Sequence, residues 1–98
     1  MDNSVIDIAE KQAAWCRVLG SARRLIILWS ISKEELSVNE IAERVGSSVQ
    51  NISQHLSLLK KSGFVTTRRD GQTIYYQLAD DETLKNCPAL QHAPEAFK

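Results

Sequence analysis

SVNEIAERVGSSVQNISQHLSLLKK occupies residues 37–61, and its punctuation decides the fold. Ser37-Val38-Asn39-Glu40 is a capping box, in which a serine hydroxyl takes the backbone N–H three residues on and the glutamate reaches back. It opens a helix with Val38, Ile41, Ala42 and Val45 on one face, stopped by Gly46. A second box, Ser47-Ser48-Val49-Gln50, opens another helix over 47–62, with Ser47 or Ser48 as its cap, and Gly63 closes it. Two short helices joined at a glycine, each with its own cap, spell a helix-turn-helix.

The second of these helices has two unlike faces. Val49, Ile52, Leu56 and Leu59 form the expected core side. Gln50, Ser53, Gln54, Ser57, Lys60 and Lys61 fall on the other. Glu and Lys are the usual fillers of a solvated helix face, yet they are missing over 47–59. Amides and hydroxyls there suit base edges, since Gln pairs bidentately with adenine and Ser donates or accepts. Recognition helices present their N-terminal residues to the major groove, and the positive dipole end favours phosphate near Ser47 and Ser48. His55, at the edge of the buried face, is expected to pack and hydrogen-bond the backbone, with phosphate contact second.

Beyond Gly63 the period changes from helical to alternating. Residues 64–69 and 72–78 are rich in β formers and flank Asp70-Gly71, a hairpin signal. Arg68, Arg69 and Gln72 then lie at or near the tip of a wing that follows the recognition helix, placed for phosphates or the minor groove. Tyr75 and Tyr76 alternate, so one should face inward.

Outward from this centre, residues 4–19 carry Ile6, Ala9, Ala13 and Cys16 at helical spacing, broken at Gly20, and Ser21 can cap a nearly all-apolar helix over 22–31. A last helix is expected over 82–86, ended by Cys87-Pro88. Residues 89–98 show no clear pattern, and Pro94 argues against a long helix there. The expectation is one domain over 1–98, mainly α with a β-hairpin wing, in the order α-α-α-α-β-β-α.

Composition agrees. Ninety-eight residues hold one core, and 43% hydrophobic with 24% charged residues is ordinary for a globular domain. No apolar run approaches a membrane span, the start carries no secretory pattern, and two cysteines are too few for a disulfide framework, so a cytoplasmic protein is expected. The net charge is zero, but residues 44–69 contain Arg44, Lys60, Lys61, Arg68 and Arg69 and no acid. A neutral chain with one basic block can still face phosphates. No nucleophile–base pair, phosphate loop or complete metal site occurs, which argues against an enzyme, and no cofactor is expected.

Taken together, these motifs resemble those of the ArsR/SmtB family of winged-helix repressors over residues 19–78. The matching pieces are Leu19-Gly20-Ser21 with Arg24-Leu25 and Leu28, then residues 35–42, residues 48–59 with their Ser-Gln-His-Leu core, and residues 68–76. The resemblance implies a homodimer formed by the first and last helices, bound to an imperfect DNA palindrome and released by a signal. The candidate DNA contacts on the helix and wing are Ser48, Gln50, Asn51, Ser53, Gln54, His55, Lys61, Arg68, Arg69 and Gln72. Where metal-sensing members carry a Leu-Cys-Val-Cys pattern, this chain has Leu36-Ser37-Val38-Asn39. Where members sensing zinc in the last helix use spaced Asp, His and Glu, it has one histidine, His92, between Pro88 and Pro94. Thiol-sensing members place a cysteine in the second helix, and residues 25–30 have none. Cys16 and Cys87 remain, on the two elements that such a dimer brings together. They are candidates for a redox pair or, with His92, for soft-metal capture. The plainer alternative makes Cys16 a small apolar residue of its stripe. A winged helix serving only protein contacts is the rival to DNA binding.

Overall fold

The computed structural model describes residues 2–97, without the side chains of Thr83 and Lys85. It has α1 (Asn3–Leu19), α2 (Ala22–Ser30), β1 (Leu36–Ser37), α3 (Val38–Val45), α4 (Val49–Lys61), β2 (Val65–Asp70), β3 (Thr73–Leu78), α5 (Glu82–Lys85), α6 (Pro88–Gln91) and a closing 3-10 turn (Glu95–Phe97). Three strands pair antiparallel in the order β1-β3-β2. The fold is a winged helix-turn-helix.

The local signals act where the sequence puts them. Ser37 Oγ accepts from the Glu40 N–H at 3.2 Å while the Ser37 N–H donates to Glu40 Oε1 at 2.9 Å, which completes the capping box. Gly46 takes the left-handed conformation, φ 77°, and its N–H bonds Ala42 O. The second box does not form. Ser48 is the cap of α4, accepting from the Asn51 N–H at 3.1 Å, and Ser47 Oγ bonds Asn51 Oδ1 instead. With Ser48 as cap, Gln50 is one position too early to reach back.

Ile27, Leu28, Ile31, Ile41, Ile52, Leu56, Leu59, Phe64 and Leu84 fill the core. Val49, expected there, is 42% exposed. It is the first residue of α4 and lies above the point where the helix dips into the core. The ring of Trp15 packs on Phe64 with centroids 5.5 Å apart, which attaches α1 to the body. Yet no residue of α1 is buried, and the Ile6–Ala9–Ala13–Cys16 stripe is exposed along its length.

The sheet and the C-terminus add what the sequence did not announce. β1 is a third strand of two residues, Leu36 opposite Tyr76 and Ser37 opposite Tyr75. The helix expected over 82–86 forms as α5 and stops before Cys87, and a second short helix follows it, because Pro88 begins α6 at a position where its missing N–H costs no bond. Trp29 holds this end, its indole N–H donating to Ala89 O at 2.9 Å.

His55 bonds a side chain where a backbone partner was expected. Arg24 Nε donates to His55 Nδ1 at 3.4 Å, which joins α2 to α4. Burial first, then the positive charges of Arg24 and Arg23, hold the imidazole below its ordinary value. The unfolded chain therefore takes up this proton before the folded one does, and folding stability falls as pH drops below about 6.5. Denaturation from pH 7.5 to 5.5 is expected to show that slope in wild type and a flatter one in His55→Gln. At fixed protein concentration Ile52→Ala should lose about 2–5 kcal/mol and Val49→Ala less than about 1 kcal/mol, measured by urea unfolding.

Candidate nucleic-acid interface

The presented face of α4 follows from what it buries. At 3.6 residues per turn Ile52, Leu56 and Leu59 share one arc, while Gln50, Ser53, Gln54, Ser57 and Lys61 share another of about 100°, turned roughly 140° away. All five of the latter are exposed. Among the described residues no hydrogen bond or ion pair engages the side chain of Gln50, Ser53, Gln54, Ser57 or Lys61. Their donors and acceptors are free for an external partner. Asn51 is half-buried and held by Ser47, so its carbonyl oxygen already has a donor. Ser48 is exposed, with its hydroxyl oxygen accepting at the cap. His55 is half-buried. Its Nδ1 is the acceptor for Arg24, which places the proton of the neutral ring on Nε2 as a donor.

The wing is built on the register Val65↔Leu78, Thr67↔Tyr76 and Arg69↔Ile74 on one face, and Arg68↔Tyr75 and Asp70↔Thr73 on the other. Gly71 and Gln72 form the two-residue loop, with positive φ (64°) at Gly71 alone, as in a type II′ turn. Tyr76 packs inward on the core. Tyr75 faces the other way and lies beneath the Arg68 guanidinium, 4.9 Å from its ring centre.

The two arginines differ. Arg68 forks onto Glu35, with its Nε 3.0 Å from Oε1 and 3.1 Å from Oε2. That hydrogen bond holds the Glu35 carboxyl below its usual range and raises Arg68. Among the described residues Arg69 meets only the Gly71 carbonyl, 3.2 Å from its Nε, which leaves its remaining N–H donors open. Arg44 is likewise paired, with Glu34 at 2.7 Å. The basic block of residues 44–69 is thus partly neutralised by two glutamates outside it. Lys60, Lys61 and Arg69 are its members without an ion pair among the described residues.

Glu35, Arg24 and Glu34 are the residues that sequence reasoning missed. Each acts across 10 or more positions in the chain, and no local motif marks them.

Cys16 is exposed and Cys87 half-buried, and both are free thiols. They line one cavity at the junction of α1 with α5 and α6. His92 is exposed and is not among its lining residues. Among the described residues no three of His, Cys, Asp and Glu converge as metal ligands, so the Cys16–Cys87–His92 set is not assembled. No described helix is long and apolar enough to cross a membrane.

The model of the family "Bacterial regulatory protein, arsR family" matches residues 21–67. The chain is 45% identical over 82 residues to the nodulation protein NolR of Rhizobium meliloti, a match covering 84% of this chain and 67% of that one. It is 48% identical over 65 residues to the transcriptional regulator KmtR of Mycobacterium tuberculosis, covering 66% of this chain and half the length of KmtR. A homodimeric winged helix-turn-helix DNA-binding domain from Mycobacterium bovis superposes with a TM-score of 0.75 at 29% identity, over 87% of this chain and 78% of that one. The free polar face of α4, the adjoining hairpin and these matches lead to one statement: the chain belongs to the ArsR family of bacterial regulatory proteins.

Proposed function

We propose that this DNA-binding transcriptional regulator acts as a homodimeric repressor, seating α4 in the major groove of an operator half-site and laying its wing along the flanking backbone. The observation that carries the reading is the free, uncharged face of Gln50, Ser53, Gln54 and Ser57 on a helix whose opposite side is locked in the core. Groups of this kind read bases, and those with charge anchor phosphates. Lys61 on α4 and Arg69 on the wing fill the second role, with Gln72 at the loop and the Ser48 cap beside them. Arg68 acts one step back, holding the wing against the segment before β1 through Glu35.

The exposed α1 stripe supports pairing of two copies, since an apolar face of that length outside the core gains from being covered. The repressor works in the cytoplasm, where its operator lies, and an inducer releases it. Its action is binding, with no catalytic step.

Operator sequence selected from a random duplex pool is expected to be a palindrome with half-sites about 10 base pairs apart or a multiple of that. On the selected duplex Gln50→Ala or Gln54→Ala should lose about 1–3 kcal/mol and relax base preference. Arg69→Ala should weaken all duplexes evenly and reduce the salt slope by about 1 per protomer. Arg68→Ala should do the same less cleanly, because Glu35 is left unpaired beside the backbone. A chain that showed no salt-dependent affinity for any duplex would be a protein-interaction module instead.

A further inference from the structure

Cys16 and Cys87 stand 71 positions apart in the chain yet line the same cavity of about 260 Å3. Trp15, Leu19 and Pro88 give it apolar walls, and the amides of Gln12 and Asn86 complete the lining. Among the described residues no carboxylate, ammonium, guanidinium or imidazole belongs to it. Two cysteines lining one largely apolar space, with no hard oxygen anion among its described lining residues, are a narrow donor set. We infer that Cys16 and Cys87 form a chelating site for a soft monovalent d10 cation of the copper(I) kind, held in two-coordination between the two sulfurs.

The ligand count sets the selectivity. Zinc takes four ligands, or three and a water, and no group of three ligating side chains converges among the described residues. Magnesium and calcium require oxygen. Thiolates select copper(I), and a d10 ion of single charge is satisfied by two of them in a line. The reaction balances as one cation and two thiols giving a bis-thiolate complex of charge minus one and two protons released to solvent, with no change of oxidation state. Gln12 and Asn86 supply N–H donors that can face the sulfurs without competing for the metal. Loading the site ties the end of α1 to the α5–α6 junction. The binding itself does not depend on the repressor reading, although any effect on operator affinity does.

The test is anaerobic titration of the fully reduced chain with copper(I) against a chromogenic copper(I) chelator. Expected are one copper per protomer, a sulfur-to-copper absorption in the ultraviolet that saturates at one equivalent, and loss of both titratable thiols. Cys16→Ser and Cys87→Ser should each weaken binding about 100-fold or more, because either thiol alone loses the effective concentration of its neighbour. Cys16→Ala, at an exposed position, serves as the control for folding by circular dichroism. Single variants that hold copper as tightly as wild type would overturn the site. So would saturation at half an equivalent, which marks a bridge between copies, or zinc retained at similar affinity.

Discussion

The burial of Ile52, Leu56 and Leu59 fixes the rotation of α4 about its own axis, and the surface that the molecule offers to a partner follows from that. All three are fully buried against the core. Each is worth about 1.5–3 kcal/mol relative to exposure, in a domain whose whole stability is of the order of 5–15 kcal/mol. Rotating the helix by one residue, about 100°, would bring these side chains to water and press the glutamine amides into the core without partners. Neither change is affordable at that scale. Presentation of Gln50, Ser53 and Gln54 to solvent is therefore a consequence of the hydrophobic face, and a free recognition face needs no separate device.

Where that face points is set at its two ends. At the N-terminal end the left-handed Gly46 and the bond from the Ser47 N–H back to Ala42 O leave the chain almost no slack between α3 and α4. At the other end Phe64 is buried beneath Trp15, and its carbonyl accepts from the Ala79 N–H at 2.9 Å, which closes the root of the hairpin. The Arg68–Glu35 fork adds a third fastening. An exposed ion pair of this kind contributes only about 0–1 kcal/mol, so its effect is on direction more than on stability. With β1 pairing only to the Tyr75–Tyr76 portion of β3, residues 69–74 project beyond the third strand.

The parts of this arrangement that were legible in the sequence are those written within a few residues. The capping box at Ser37, the turn at Gly46, the apolar period of α4 and the strand alternation after Gly63 each depend on spacings of two to four. Ser47 and Ser48 both satisfy the same capping rule, so spacing alone does not choose between them; in the fold Ser48 takes the Asn51 N–H and Ser47 bonds the Asn51 side chain. The Asp70-Gly71 pair marked the hairpin, although the loop itself is one residue later, since Gly71 alone supplies the positive φ. Less legible were features of long separation. β1 has two residues, too short for a period to show, and exists because Tyr75 and Tyr76 lie opposite it. Glu34 and Glu35 lay outside the basic block and fold back onto it. The split of α5 from α6 turned on whether Pro88 ends one helix or starts another, and the Trp29 bond to Ala89 O lies 60 positions away.

Those returning glutamates change how the neutral chain meets a polyanion. With Arg44 and Arg68 paired, the cations left on α4 and the wing are Lys60, Lys61 and Arg69. Affinity from counterion release scales with the number of phosphates neutralised, with a salt slope of about 0.9 per contact. At most three such contacts would give one protomer little hold on DNA, and two protomers on one duplex would double the number while their base contacts also add. On the proposed reading, binding would be tied to pairing more closely here than in a protein with a large positive surface. On the proposed homodimer the pairing surface would be α1, whose exposed apolar stripe ends at Cys16 beside the α5–α6 junction. On that reading a change at the junction would act on the element that sets how many phosphates are held at once, and would reach the operator without touching α4.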